Sequence, residues 1–509
     1  MIAKIIVDNK SKQVDKPFDY LVPKELEGKI KIGSRVLVPF SSGNREIEGF
    51  CVGTADTSDS KRLKSIIRTA NDTVGFDEDM LELIEWMHKK YLASYLDIIH
   101  TIVPSGTALK TKEWIILENK SEEKSEIRRH ITEILTDNGG SMEFKGLKEM
   151  CGVDIQNQVR AMIKEGTLKK EYRQSVDIKD KKIKCVKLIC DRETALESAE
   201  ILRRKAPVQT KMLEVLSENE YVSLADLQKF TNGSHSTVKA LEKKNLVNVF
   251  DMTVERDPYW NRVFEKTEKM VPTPEQEYAI DEITNSVKSG DGGIYLLHGV
   301  TGSGKTEVFM QTIENVINMG KSAIMLVPEI SLTPQMVSRF MSRFGGRVAI
   351  FHSGLSAGER YDQWKKIRDG EADIVIGARS AIFTPLKNIG VIIMDEEHSD
   401  TYKSDMSPRY HARETAIFRA NQSGAAVVLA SATPSVESYY KAQTGEYKLL
   451  EMNTRYNKNK MPEISVIDMR SELEKGNKSM LSGKLYNEIE ENLKRGEQTI
   501  LFLNRRGFS

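Results

Sequence analysis

The chain has 509 residues, 39% hydrophobic and 29% charged, with a formal net charge of +1. That length is too great for one core and suggests about three or four domains, and the composition excludes a collagenous, disordered or disulfide-framework protein. A charge so near zero gives the whole molecule no pull on polyanions, so any nucleic-acid contact has to come from local basic surfaces. No apolar run is long enough to cross a bilayer, and residues 1–8, interrupted by Lys4, do not make a signal peptide; the expected location is cytoplasmic, with no membrane partner. Of the four cysteines, Cys51, Cys151, Cys185 and Cys190, only the last two are close and no second pair stands at zinc-ligand spacing, so they read as reduced thiols.

In chain order, residues 1–106 read as a small β-rich domain closed by helix. Residues 2–7, 34–39 and 46–53 have strand character, punctuated by Gly33 and the polar cluster at 41–44. Residues 77–95 have helical spacing, with Met80, Leu83, Ile84, Met87 and Tyr91 on one face. His88, beside that face, reads as a surface or internally satisfied histidine. Residues 124–171 and 208–250 resemble one another. Each carries three predicted helices (126–136, 144–150 and 155–165; then 210–218, 224–230 and 234–244) followed by a short β-like segment. The third helices end in basic turns, with Arg160, Lys164 and Lys169 in one copy and Lys239, Lys243 and Lys244 in the other. That is the outline of a winged helix-turn-helix, which leaves two roles open, a third helix against DNA or a packing and interaction module. The lysine-rich stretch 177–187 between the copies reads as a solvated strand or linker.

From about residue 270 strands and helices alternate. Residues 294–297, 323–327, 348–351, 374–377, 391–394 and 426–430 are apolar runs with helical stretches between them, which implies a parallel sheet covered on both faces. Beyond Pro434 the pattern is less regular until a helix at 485–493 and a strand at 499–503, where a further α/β layer begins.

Residues 299–306, Gly-Val-Thr-Gly-Ser-Gly-Lys-Thr, fit the phosphate-loop pattern G-x-x-x-x-G-K-[ST], with an apolar strand before them and helical spacing after. Gly299, Gly302, Ser303 and Gly304 are placed to wrap phosphates with backbone N–H groups, Lys305 to reach the β/γ-phosphates of ATP, and Thr306 to ligate Mg²⁺. Asp395-Glu396-Glu397-His398 follows the run 391–394 directly. Asp395 is placed to hold Mg²⁺ through water, Glu396 to orient or deprotonate the attacking water, and His398 to sense the γ-phosphate side. Ser431 and Thr433, at the tip of the next strand, are candidates for relaying nucleotide state. Gln276 is a candidate for an adenine edge. Loops after the strands offer phosphate-backbone contacts, Arg379 among them, and Tyr402, Lys403, Arg409, Tyr410, His411 and Arg413 interleave aromatics with cations as single-strand stacking requires.

These motifs, with Val-Pro-Glu-Ile-Ser-Leu-Thr, Gly-Ala-Arg-Ser-Ala, Ser-Ala-Thr-Pro-Ser and the closing Asn504-Arg505-Arg506-Gly507-Phe508, resemble those of the PriA family of superfamily 2 replication-restart helicases. The resemblance covers nearly the whole chain. It implies a multidomain α/β protein: a fork 3′-end DNA-binding domain at 1–106, winged-helix modules at 107–190 and 191–255, a RecA-like ATP-binding lobe at 256–437 and the start of a second lobe at 438–509. It implies a DNA-dependent ATPase and 3′-to-5′ helicase acting on forked and single-stranded DNA, the alternatives being an ATP-switched DNA-binding scaffold or a duplex translocase without strand separation. The partners implied are primosome proteins, single-strand binding protein and the machinery that loads the replicative helicase. The stretch 402–413 resembles the family's aromatic-rich loop, and Phe18, Asp19 and Lys64 are the implied pocket for a 3′ end. Ser41 stands where the family often has glycine after Pro-Phe. The family's zinc sites and late arginine motif are not in this sequence, so zinc is expected of the family without ligands here.

Overall fold

The structure is a computed structural model, and it describes every residue except 10, 42–44, 61, 70–74, 105–108, 120–124, 177–180, 255, 257–264, 457–461 and 503–509. Most of the predicted polar cluster at 41–44 and the motif at 504–508 lie outside the described residues. The chain forms two compact units, residues 1–455 and 456–509.

A seven-stranded, all-parallel sheet organises the first unit. Its order is Val348–Phe351, Ile374–Gly377, Ser322–Leu326, Ile389–Met394, Ala426–Ser431, Gly293–Gly299, Lys448–Met452. All six predicted strands are present. The seventh, Lys448–Met452, and the helix before it, Val436–Gln443, extend this layer beyond the expected boundary at 437. Sequence gave the last strand a weak signal because only Leu450 and Met452 are buried in it.

Side chains alternate across these strands, so both faces have to be covered. Ile392, Met394, Val427 and Leu429 feed one core, and Val391, Ile393, Val428 and Ala430 the other. The helices Pro274–Ser289, Lys305–Asn318 and Pro334–Phe344 close the second. The first is closed by Ala357–Arg368, Ala412–Ser423 and two helices from the N-terminal region, Glu78–Tyr91 and Tyr95–Ile102. The predicted helix at 77–95 is therefore two. Leu92 breaks it in a left-handed conformation (φ 52°), and Ser94 caps the next helix by accepting from the Asp97 N–H.

The N-terminal sheet runs in the order Lys64–Ser65, Phe18–Leu21, Ile2–Val7, Arg45–Ala55, Arg35–Phe40, Arg68–Thr69. Two similar modules follow. In one, helices at Glu126–Asp137, Phe144–Cys151 and Gln156–Lys164 pack beside a sheet centred on Leu109–Leu117. In the other, helices at Pro207–Ser217, Leu224–Thr231 and His235–Lys243 pack beside a sheet centred on Lys181–Leu188. The described part of the lysine-rich stretch thus lies in Lys181–Leu188, the central strand of the second sheet, which moves the expected 190/191 boundary upstream. Its lysines mask a buried pair, Cys185 and Val186, carried between Val222–Ser223 and Val247–Val254.

The second unit contains the helices Met469–Glu474 and Gly483–Arg495. The strand expected at 499–503 does not form over its described part, where Ile500 and Phe502 are exposed and pair with nothing in a ladder.

One buried charge pair fixes the N-terminal sheet. Arg35 Nε donates to Glu48 Oε1 at 2.5 Å between adjacent strands, with both side chains almost wholly buried. Removing one partner strands the other charge in a dry site. Glu48→Leu is expected to cost about 3–5 kcal/mol in urea unfolding, and Arg35→Met added to it to recover most of that loss. Equal destabilisation by the single and double variants would contradict this reading.

Candidate nucleotide and DNA site

Ile389–Met394, Ala426–Ser431 and Gly293–Gly299 are adjacent strands in that order, with Met394 opposite Leu429 and His298 opposite Ser431. Their carboxyl ends therefore set the acidic motif, Ser-Ala-Thr and the phosphate loop side by side, on the edge where parallel sheets collect ligands.

The loop needs its glycines. Gly302 and Gly304 have φ of +83° and +86°, and a Cβ on Gly304 would stand 2.3 Å from Gln276 Nε2. Gln276 is buried and doubly engaged. Its Oε1 accepts from the Thr273 N–H at 2.8 Å and its Nε2 donates to Ser303 O at 2.8 Å. It braces the loop, whereas an adenine edge was expected for it. Lys305 Nζ donates to Gly299 O at 2.8 Å, and Ser303 Oγ is buried without a partner. A glycine cradle at a helix N-terminus, a lysine, an orphaned hydroxyl and a nearby carboxylate fit a nucleoside triphosphate with its divalent cation.

Burial, and then Glu396, push the Asp395 carboxyl up to about 6, while the Glu396 N–H (3.0 Å from Oδ1), Lys305 and His398 act against that rise. Glu396 itself lies in the left-handed region (φ 46°), so successive side chains of the motif point to different neighbours. His398 Nδ1 lies 2.8 Å from Ser431 Oγ, which also accepts from the Thr433 N–H at 2.9 Å. The expected link between the two motifs is therefore a direct contact.

Glu397, to which sequence reasoning gave no role, is 2% exposed and accepts from Ser435 N (2.6 Å), Ser435 Oγ (3.1 Å), Ser438 Oγ (2.9 Å) and an Arg413 guanidinium nitrogen (3.1 Å). The signal that would have found it is the serine pair Ser435 and Ser438, three residues apart at the start of a helix.

The aromatic-rich stretch differs from its expectation. Tyr402 is fully buried, and its hydroxyl donates to Asp395 O (2.6 Å) and Leu326 O (3.1 Å). Tyr410 is 3% exposed, edge-on to Phe383 at 4.8 Å with the Arg379 guanidinium 5.7 Å from its ring centre. Arg379 donates to Thr401 O at 3.1 Å and to Lys403 O, Lys403 Nζ donates to Arg409 O at 2.6 Å, and Arg413 is held by Glu397 and the two serines. Neither tyrosine face is open to a base here. A short segment over an apolar sheet edge gains more by burying both rings, the Tyr402 hydroxyl being satisfied internally, than by exposing them. Arg409 is exposed.

That segment also meets the N-terminal helices. Tyr91 Oη donates to Glu414 (2.6 Å), Ser407 Oγ donates to Asp97 (2.8 Å), and Lys403 lies 5.6 Å from the Tyr91 ring centre. At the edge of the N-terminal sheet, Phe18 packs edge-on against Phe40 at 5.5 Å, Asp19 Oδ2 accepts from Ser58 Oγ at 2.5 Å, and Lys64 Nζ donates to Ser41 O at 2.7 Å. The strands carrying these three are neighbours, but alternation sends Phe18 and Asp19 to opposite faces.

Residues 4–104 match the family model of the PriA 3′ DNA-binding domain, and residues 273–442 match the DEAD/DEAH box helicase model. The replication restart protein PriA of Bacillus subtilis (strain 168) is 41% identical over 512 residues, covering 100% of this chain and 62% of its own length. The PriA of Synechocystis sp. is 32% identical over 531 residues, covering 100% and 61%. A structure of RecG bound to a three-way DNA junction aligns with 38% of this chain and 25% of its own at 26% identity, with a TM-score of 0.29. The chain thus spans about three fifths of the length of the curated relatives it matches. Over its full length the chain is homologous to the replication restart protein PriA, and it joins a match to that protein's 3′ DNA-binding domain to a match to the DEAD/DEAH box helicase domain.

Proposed function

We propose that this chain carries the fork-binding and ATP-binding parts of a DNA-dependent ATPase and 3′-to-5′ DNA helicase, one that recognises stalled or abandoned replication forks and starts replication restart through primosome assembly. The observation that carries this reading is the phosphate loop, Asp395–Glu396 and the His398–Ser431 contact on three neighbouring strand ends, in a chain whose N-terminal region matches a 3′ DNA-binding domain. The substrates are forked and single-stranded DNA. Primosome proteins, single-strand binding protein and the loading machinery of the replicative helicase are its partners, in the cytoplasm.

ATP with Mg²⁺ supplies the phosphoanhydride whose cleavage drives the cycle. Lys305 exchanges Gly299 O for a phosphate oxygen, and the N–H groups of Gly302, Ser303 and Gly304 wrap the same anion. Thr306 and Asp395 would hold the cation, whose charge would offset that of the phosphates. Glu396 orients the attacking water and takes its proton. His398 passes the state of that site to Ser431 and Thr433. Gln276 positions the loop from the base side. Arg379, Lys403 and Arg409 line the strand path, while Tyr402, Tyr410 and Arg413 act as internal struts that carry DNA contact back to the acidic motif. Phe18, Asp19 and Lys64 hold a free 3′ end. Among the described residues no group of His, Cys, Asp and Glu is arranged to hold a metal ion, so no step here runs through zinc.

Lys305→Ala is expected to weaken binding of a fluorescent ATP analogue by at least about tenfold, since it removes a charged phosphate contact. Glu396→Gln is expected to leave that affinity within a few-fold and lower DNA-stimulated hydrolysis by about 10²–10⁴-fold. Fork unwinding at full rate by either variant would refute a motor and favour a scaffold. Tyr402→Phe is expected to cost about 1–3 kcal/mol of stability, through the Asp395 carbonyl losing its hydroxyl donor while Leu326 O keeps the Asp395 N–H, with single-strand affinity unchanged. A clear loss of affinity in a stably folded Tyr402→Phe would restore it as a DNA contact. Asp19→Ala is expected to weaken binding to forks with a free 3′-OH and to spare plain single strands; equal loss on both would remove it from the 3′-end site.

A further inference from the structure

A cavity of about 620 Å³ lies between the N-terminal sheet region and the seven-stranded parallel sheet, called the motor sheet on the reading above, away from the nucleotide loop. One wall comes from the turns around Lys29, Lys31 and Gly33 and from Gly75, Phe76 and Asp77. The other comes from Trp364 and Arg368 near the end of the helix Ala357–Arg368, and from Pro385 and Lys387 just before the strand Ile389–Met394. These groups precede the motor strands, whereas the phosphate loop and acidic motif follow theirs. The cavity is therefore on the opposite edge of the sheet from the nucleotide site.

The first wall is fixed by backbone contact. A Cβ on Gly33 would stand 1.7 Å from Phe76 O, and one on Gly75 would stand 2.2 Å from Gly33 O, so two chain segments cross where only glycine allows it. The lining is cationic. Its two guanidinium groups are already committed, Arg35 to Glu48 and Arg368 to Asp369 at 2.7 Å. Among the described residues its one carboxylate, Asp77, caps a helix by accepting from the Met80 N–H at 3.1 Å. Lys29, Lys31 and Lys387 remain, all exposed, around an apolar floor of Ile32, Phe76, Trp364 and Pro385. In a chain with a net charge of only +1, three lysines on one cavity are a local anion site.

We propose that this cavity binds the phosphate backbone of a DNA single strand, as a second DNA contact clamped between the N-terminal region and the motor lobe. It rests on the DNA-binding reading above and extends it. A duplex is too wide for the space, while one or two nucleotides fit the size range of ligand pockets. Dispersed lysines suit successive phosphates as point charges. An isolated carboxylate is better met by an arginine fork, and both forks here are spent on internal acids. One whole wall also lies within the matched 3′ DNA-binding domain, residues 4–104.

The test is fluorescence anisotropy of a labelled oligo-dT twelve-mer with the full chain, parent against Lys29→Ala/Lys31→Ala/Lys387→Ala, across a salt series. Three lost phosphate contacts are expected to make the slope of log K against log[salt] shallower by about 2, with at least about tenfold weaker binding at low salt. Binding of the ATP analogue stays at the parent value. In the parent chain, oligo-dT is expected to protect these three lysines from reductive methylation. An unchanged slope without protection overturns the proposal. So does protection by an acidic decapeptide alone, with oligo-dT binding intact in the triple variant, which would make this a peptide site. A parent chain that binds no oligo-dT would overturn both this proposal and the DNA-binding reading on which it rests.

Discussion

Glu397 is the constraint on which the carboxyl edge of the parallel sheet depends. A carboxylate at 2% exposure is tolerated only where nearly every lone pair is met, and four donors converge on this one. Those donors come from separate places: the N-terminus of the helix Val436–Gln443, and Arg413 at the end of the aromatic-rich segment. The residue before it adopts a left-handed backbone, and the residue after it reaches Ser431. Satisfying one buried charge therefore fixes the acidic motif, the Ser-Ala-Thr strand tip and the aromatic segment relative to one another. Asp395 and Glu396 thus inherit their geometry from a neighbour that is itself wholly engaged in internal hydrogen bonds.

The second consequence concerns how far a local change travels. Helices from the N-terminal region do not merely lie beside the parallel sheet; Leu83, Ile84, Met87, Ile98 and Ile99 share a core with Ile392, Met394 and Leu429. The hydrogen bonds Tyr91–Glu414 and Ser407–Asp97 join those helices to the segment that leads into Glu397 through Arg413. Tyr402 closes the circuit by bonding the carbonyl of Asp395 itself. Close-packed cores have discrete arrangements, so a shift at the aromatic segment has few ways to relax except through these contacts.

The sequence made the motor sheet legible because buried parallel strands are uninterrupted apolar runs, and because glycine loops and acidic turns end them at fixed places. It hid what depended on tertiary context. Tyr402 and Tyr410 look like stacking residues in any one-dimensional reading, since interleaved aromatics and cations are the pattern of a single-strand platform. Their burial is decided by Phe383, Leu326 and Arg379, which come from elsewhere in the chain. Gln276 was visible as a polar residue near the loop, but its partners, Thr273 N and Ser303 O, show only when helix and loop are placed together. Lys181–Leu188 read as solvated because alternating lysines outweigh one buried pair in composition. Leu92 ended a helix that its apolar spacing would have continued, because the next turn had Ser94 to cap it.

The nucleotide loop shows how such internal satisfaction bears on function. Lys305 and Gln276 give their donors to carbonyls of the loop, at Gly299 and Ser303. A neutral carbonyl is a weaker acceptor for an ammonium than a phosphate oxygen, so exchanging Gly299 O for a phosphate oxygen would be favourable for Lys305 in its own right. Ser303 Oγ has no partner to give up, and a buried hydroxyl without one costs about 1–3 kcal/mol that an arriving acceptor returns. Asp395 acts in the same direction. Its carboxyl is held up to about 6, above its usual range, so ionising it costs stability as pH rises from about 4 through 6, and a bound cation reverses that cost. Three groups of one site are each less well satisfied by the protein than they would be by an anion and its metal. The structure therefore places its free-energy deficit where the ligand can repay it.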